Sequence, residues 1–474
     1  MSDTANGSTG PSREMDAVDY LLHRGESNPR TRSSFLGLEI LDCSPDWDRL
    51  LETYERASRA IVRMRERVVV PALPTAAPRW VVDPDFDLSY HLRRVRAPQP
   101  GTFRQVLDLA EQILQSPLDP TRPLWTTTLV EDLEGGRAAL LSHTSHAVTD
   151  GMGGVALMKE LYDLERDPPR RPMPPLPVPA DLSPNDLSRA GLSRLPWSAL
   201  TVARSLVGGA AGVAGRLARN PATAVSDTVD FARSVGRMLT PRSAEPSPLL
   251  RRRGVSRRTV TLDVQLDDLR RAAKSAGGSV NDAYLAALSG ALRRYHEELG
   301  VPVEALPMAI PVSLRTEDDP AGGNRFAGVT LAAPISETDP AERMRLIREQ
   351  IVAGRQEPAI DLMGTIAPAL SRLPGPILDA VSGMITPPDV QASNVPGYHV
   401  DTFIAGARVE RQYGLGPLPG VAMMVVLVSR AGVCTVAARY DTASITDSEL
   451  LARSLRAGFD EVISLGAEAG PVSR

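Results

Sequence analysis

The run Ala138-Ala-Leu-Leu-Ser-His-Thr-Ser-His-Ala-Val-Thr-Asp-Gly-Met-Gly-Gly154 decides how this chain is read. Ala138 to Leu141 is an apolar stretch that stops abruptly at polar and turn residues, the pattern of a buried strand. After Gly154 the apolar residues Val155, Leu157, Met158 and Leu161 recur at helical spacing. His146 to Gly154 is therefore read as a strand-to-helix crossover, where a backbone turn presents an imidazole to a cavity. Imidazole titrates near neutrality and can take a proton from an alcohol at working pH. Gly151, Gly153 and Gly154 leave room for substrate and free N–H groups at a helix N-terminus, which suits an oxyanion. The plainer alternative is that a histidine beside a turn is only a capped or solvated residue. His143, His146 and Asp150 are also metal-ligand types. Residues three apart in an extended strand point to opposite faces, however, and both cysteines are remote, so no metal is expected.

Working outward, 474 residues exceed one ordinary core and suggest two domains. A chain 42% hydrophobic and 23% charged is globular, and a net charge of −4 gives no drive towards nucleic acid. Lys159 and Lys274 are the only lysines, so nearly all positive charge is arginine. Cys43 and Cys434 lack metal spacing and read as reduced thiols of a cytoplasmic protein. Residues 1–14 read as a polar disordered leader without a secretory signal, and no window is long and apolar enough for a spanning helix.

Residues 15–165 carry alternating helical and strand patterns. Asp46 to Arg67 reads as a charged amphipathic helix, followed by a strand at Val68–Val70. Phe103 to Leu114 reads as another helix, and Leu124–Glu131 with Ala138–His143 as an antiparallel pair around Gly135-Gly136. Strands interleaved with helices indicate a layered α/β domain. Residues 166–255 form a linker and crossover. Its first part, Asp167 to Pro184, is Pro-dense and extended. Leu187 to Leu239 then mixes Ala, Gly, Leu and Val with arginines, which fits helices on an anionic membrane surface or cover helices on the protein itself.

Residues 256–474 open with a strand at Thr259–Val264 and a helix at Leu266–Ala276. Ser279 with Asp282 resembles a capping box and puts Asn281 and Asp282 in the first turn of the next amphipathic pattern (Leu285, Leu288, Leu292, Tyr295). Met308–Val312, Val421–Val428 and Val433–Ala438 read as buried strands.

Together these motifs resemble the bacterial wax ester synthase/diacylglycerol acyltransferases, within the wider group of CoA-dependent acyltransferases that use an HxxxDG motif. Relatives usually carry two histidines before xxxDG; here the pair is Ser145-His146, so only the second matches. Further matches are Met15-Asp-Ala-Val-Asp-Tyr-Leu-Leu22, Phe86-Asp-Leu-Ser-Tyr-His91 and Pro123-Leu-Trp125 in the first half. Ser247-Pro-Leu-Leu250 follows in the crossover, with Leu250 where relatives usually have Asn. Val280-Asn-Asp282, Pro311-Val-Ser-Leu-Arg315, Ser393-Asn-Val-Pro-Gly397 and Tyr440-Asp441 complete the set, while Ser429-Arg430 stands where relatives often have Ser-Tyr. The shared order and spacing carry the resemblance, since each short match alone is weak.

The resemblance implies an α/β fold of two similar chloramphenicol-acetyltransferase-like halves, each a mixed sheet flanked by helices. A tunnel between the halves would hold the catalytic histidine. It implies acyl transfer from acyl-CoA, as substrate rather than cofactor, to diacylglycerol or a fatty alcohol, with His146 as general base. The backbone after Asp150, at Gly151, and the Asn281 side chain are the oxyanion candidates. Asp150 would either orient His146 or pair with an arginine, Arg315 first and Arg325 in reserve. Asp282 supports its helix. Trp125 and Ser145 are tunnel candidates, although a buried Trp is ordinarily core and Ser145 need not carry an acyl group. His143 is a possible neighbour; His23, His91, His296 and His399 read as ordinary surface or packed residues. Two alternatives remain: a carrier-bound donor or specialised glycolipid acceptor, and a catalytically weak lipid-binding paralogue. The lipid acceptor implies peripheral contact with the inner membrane face or lipid droplets.

Overall fold

The computed structural model describes residues 12–73, 75–148, 157–193, 244–313, 326–356, 362–371, 373, 378 and 387–468. Asp150, Gly151, Arg315, Arg325 and most of Leu187–Leu239 lie outside them. In chain order the first strands are β1 (Ser12–Glu14), β2 (Phe35–Leu41), β3 (Glu66–Val69), β4 (Arg79–Val82), β5 (Leu92–Arg96), β6 (Trp125–Leu133) and β7 (Arg137–Thr144). The later ones are β8 (Arg257–Gln265), β9 (Leu306–Ser313), β10 (Phe326–Ala333), β11 (Val390–Pro396), β12 (Phe403–Ile404), β13 (Ala407–Leu415), β14 (Met423–Arg430) and β15 (Val433–Asp441).

Two six-stranded mixed sheets result, ordered β12-β13-β2-β7-β6-β5 and β10-β9-β11-β14-β15-β8, beside a small sheet β1-β4-β3. Helices flank both large sheets, as the α/β expectation required. The first sheet is not built from residues 15–165 alone. β13, far along the chain, pairs antiparallel with β2 and covers what would otherwise be an exposed edge. The Asp46–Arg67 helix stops earlier than its pattern suggested. It runs Trp47–Ala60, breaks at Ile61 (φ −108°, ψ 88°), and gives way to a short 3-10 turn before β3.

One face of the first sheet is sealed by the Phe103–Gln115 helix. A Thr102/Gln105 capping box starts that helix, and Val106, Leu107, Ala110 and Leu114 pack on Leu36, Leu38, Ile40, Ala139 and Leu141. The other face meets Leu50, Tyr54 and Ala57 of the Trp47–Ala60 helix. In the second half the Val280–Glu298 helix is buried along most of its length and lies on β14 and β15 in one large core.

The halves dock through β13. A Cβ at Gly414 would stand 2.9 Å from Val426 Cγ1, and one at Gly416 2.6 Å from Met424 Cγ. Only residues without a side chain let β14 approach this closely. Tyr413 and Arg411 then bond Asp263 of β8 at 2.8 Å each, and the buried Arg439–Glu111 pair, 3.1 Å apart, ties β15 to the Phe103–Gln115 helix. The Pro-rich linker is extended and sits on the small sheet, with Ala180 N–H donating to Val82 O at 3.2 Å.

Candidate active site

β7 delivers the candidate base. It pairs with β2 on one side and β6 on the other, so its last residue, Thr144, lies between Phe35 and Trp125. The Ser145 N–H then donates to Leu124 O at 3.1 Å, and a turn closes with Val148 N–H on Ser145 O at 3.0 Å. His146 stands in this turn, half-buried, its ring 4.6 Å from that of Phe35 at 36°. Burial lowers its pKa from 6.5 to about 4. The imidazole is therefore neutral at physiological pH, with a lone pair to accept a proton.

Beneath the turn lies a polar anchor. Ser145 is fully buried, and its hydroxyl donates to Glu26 Oε1 at 2.9 Å. Ser33 donates to the same oxygen at 2.9 Å, and Ala147 N–H donates to Ser145 Oγ at 3.2 Å. Burial raises the Glu26 pKa, opposed by the two hydroxyls and by Arg32. Arg32 in turn fixes the segment by donating to Glu26 O (3.0 Å) and Gln115 O (2.6 Å). Ser145 is thus a scaffold of the turn. His143 faces the opposite side of β7, buried, its pKa lowered to about 3 by burial and then by Arg32 and Arg439.

Trp125 belongs to an aromatic stack. It stacks on His91 (4.6 Å) and Tyr54 (5.9 Å), and its indole N–H donates to Met64 O at 2.8 Å. Phe86 stacks on the other side of His91 at 5.1 Å, and the His91 Nδ1 sits 2.7 Å from Trp125 O. Two sequence motifs, Phe86–His91 and Pro123–Trp125, are therefore one packed unit. One edge of it lines a small, mainly apolar cavity of about 60 Å³, along with Thr144, Val148, Leu157 and Leu161.

In the second half, the capping box forms as expected. Ser279 N–H and hydroxyl both donate to Asp282 Oδ2 at 2.8 Å, and Asp282 N–H returns to Ser279 Oγ at 3.3 Å. Asp282 thereby closes the reciprocal capping box through its Oδ2. Asn281 is half-buried, and Asn394 Nδ2 reaches its Oδ1 at 3.5 Å, the long limit of a hydrogen bond. This contact joins the Val280–Asp282 motif to the Ser393–Gly397 motif on β11. The Ser247 and Asp441 motifs are structural: Ser247 Oγ meets His296 Nε2 at 2.8 Å, while Asp441 accepts from Gly254 N–H and Arg257 at 2.7 Å each.

Sequence reasoning passed over Phe35, Glu26 and Tyr54. The signal for Phe35 was present: Phe35-Leu-Gly-Leu-Glu-Ile-Leu41 is the central strand beside β7, with Gly37 and Glu39 breaking its apolar run. Glu26 and Tyr54 carried no local signal.

The sequence matches the wax ester synthase/diacylglycerol acyltransferase catalytic domain over residues 7–284 and the WS/DGAT C-terminal domain over residues 322–462. It is 58% identical to a Mycobacterium tuberculosis H37Rv protein named "Putative diacyglycerol O-acyltransferase", over 97% of this chain and 94% of that one. Among solved structures it resembles the wax ester synthase/diacylglycerol acyltransferase from Marinobacter aquaeolei VT8. That match has a TM-score of 0.65 and 19% identity, covering 96% of this chain and 100% of the other. It also resembles the starter condensation domain of rhizomide synthetase in complex with C8-CoA, with a TM-score of 0.56 and 12% identity over 96% and 95%.

Proposed function

The chain belongs to the wax ester synthase/diacylglycerol acyltransferase family, and from that premise we propose that it moves a long-chain acyl group from acyl-CoA to diacylglycerol or a fatty alcohol, with His146 as general base. It is an acyltransferase of the WS/DGAT type. The observation that carries the finer reading is His146 itself, neutral, at the end of a central strand, between Thr144 and Val148 that line a cavity.

In the proposed step the acceptor hydroxyl attacks the thioester carbonyl while the imidazole takes its proton. A C–O bond forms, the oxyanion collapses, the C–S bond breaks, and the imidazolium returns the proton to the CoA sulfur. The Gly151 N–H and the Asn281 amide stabilise the oxyanion, each such donor contributing about 3–4 kcal/mol. Asp150 fixes the loop by pairing with Arg315 rather than orienting the imidazole. The C8-CoA bound by a protein of the same fold supports a CoA donor. No described helix is long and apolar enough to cross a membrane, and a lipid acceptor calls for peripheral contact with a membrane or droplet surface.

The test is ester formation from palmitoyl-CoA with hexadecanol and, separately, with dioleoylglycerol. His146→Ala should lose about 10²- to 10⁴-fold in kcat, the usual contribution of a general base. No ester with either acceptor from the native protein would overturn the reading and favour the lipid-binding paralogue.

A further inference from the structure

The first sheet is left open beside His146. Leu36, Leu38 and Ile40 on β2 are at most 4% exposed, whereas their alternates Phe35 and Gly37 are half-exposed in the middle of a six-stranded sheet. Ser142 and Thr144 on β7, the register partners of Gly37 and Phe35, are half-exposed too. A Cβ built at Gly37 would meet no atom of the described residues within 4 Å. Across the strands one row reads Thr127, Ser142, Gly37 and Gly414, that is, two hydroxyls followed by two residues without side chains. The row nearer the base reads Trp125, Thr144 and Phe35, the last against His146.

The hydroxyls of this row are poorly used. Thr127 reaches Ser142 only at 3.4 Å. Tyr54, 1% exposed, brings its phenol close enough to both for a weak interaction, yet among the described residues its oxygen closes no hydrogen bond of good geometry. Burial raises the phenol pKa, so it stays a donor. Tyr54, Thr127, Ser142 and Thr144 all line the cavity of about 60 Å³, whose wall is otherwise mainly apolar apart from Arg63. That space holds a polar fragment rather than a whole lipid, since lipid-sized sites run to about 300 Å³ or more.

We propose that Tyr54, Thr127 and Ser142 form an ester-carbonyl subsite that favours a diacylglycerol acceptor over a fatty alcohol. The inference rests on the acyltransferase reading above. A buried phenol whose oxygen closes no hydrogen bond of good geometry, beside two weakly paired hydroxyls, is matched by a group that only accepts, and a diacylglycerol carries ester carbonyls within a few atoms of its reacting hydroxyl. A fatty alcohol would lay methylenes there and leave the phenol unpaired. Sites that must hydrogen-bond a substrate discriminate against analogues lacking the group for this reason.

The experiment compares kcat/KM for 1,2-dioleoylglycerol and hexadecanol, with palmitoyl-CoA as donor, in the native protein, Tyr54→Phe and Ser142→Ala. Loss of one net hydrogen bond should lower the diacylglycerol-to-hexadecanol ratio about five- to tenfold in each variant. An unchanged ratio, or equal loss with both acceptors, would overturn the subsite while leaving the acyltransferase reading intact. Binding of labelled 1,2-dioleoylglycerol in mixed micelles without any thioester gives a second readout. Weaker retention by Tyr54→Phe supports the subsite even where turnover is absent, and equal retention refutes it.

Discussion

The two six-stranded sheets differ in what covers them. In the second, β14 is sealed on both sides. Met423, Val425 and Leu427 lie in the core under the Val280–Glu298 helix, and Met424, Val426 and Val428 are buried on the face that meets β13. In the first, the face under the Phe103–Gln115 helix is equally closed, but the face under the Trp47–Ala60 helix is covered only in part, leaving Phe35 and Gly37 half-exposed near His146. Both sheets obey the rule that an apolar face must be covered. The open sheet meets it only in part, leaving hydroxyls and a glycine where the closed sheet has Val and Met. The closed half therefore acts mainly as scaffold, and the uncovered face is where substrate can reach a strand end.

The sharpest way to break this comparison is through the anchor of the open face. Glu26→Ala removes the acceptor for Ser145 and Ser33, leaving two buried hydroxyls unpaired beneath the turn that carries His146. A misplacement near 1 Å can cost about 100-fold in rate, so kcat should fall roughly 10- to 100-fold with KM little changed. Glu26→Gln retains an acceptor oxygen and should recover most of the loss. An unchanged kcat in Glu26→Ala would show that the turn holds itself.

The second effect is on stability and is concentrated in the same half. His23, His91 and His146 are lowered to about 4 and His143 to about 3, all chiefly by burial. A depressed imidazole pKa means that the unfolded chain binds protons first as pH falls, so stability drops from about pH 6.5 towards 4. For fully buried His91 and His143 the loss is about 1–2 kcal/mol each between pH 6.5 and 5. Glu39, raised to about 7 by burial, works the other way: its folded form is favoured below the usual 4.5 and penalised as pH rises through 7. Thermal melts at pH 6.5 and 5 should show a lower midpoint in acid, and His91→Gln should flatten the slope. An equal midpoint at both pH values would contradict the burial assigned to these rings.

Much of the α/β layering was legible because strands such as Thr259–Val264 and Val433–Ala438 carry their period in the sequence. β7 with its abrupt polar end pointed to His146 without any distant contact. β13 was not legible: Ala407, Val409, Tyr413 and Leu415 alternate with polar residues, but Arg411 takes an inward position of that pattern, and the pairing with β2 spans most of the chain. Ser145 read as a departure from the family pattern, but its carboxylate partner lies 119 residues away, and no local pattern announces such a bond. Tyr54 was passed over inside the Asp46–Arg67 helical pattern; only the approach of Thr127 and Ser142 gives its hydroxyl a meaning.

The smallest effect separates two neighbours in the closed half. Asp282 spends a carboxylate oxygen on Ser279, a bond any helix start would use, whereas the Asn281 amide oxygen accepts from Asn394 Nδ2 across a long 3.5 Å contact and leaves its own N–H groups to donate. A helix cap removed by Ala costs about 0.5–2 kcal/mol, so Asp282→Ala should lower the unfolding midpoint modestly while kcat per folded molecule holds. Asn281→Ala should do the reverse, sparing stability and slowing turnover, if its amide donates to the oxyanion. Chemical denaturation and single-acceptor kinetics on the two variants read both quantities. Should Asp282→Ala slow turnover as much as Asn281→Ala, the first turn of this helix would belong to the reaction as a unit, and Asp282 could no longer be treated as a cap alone.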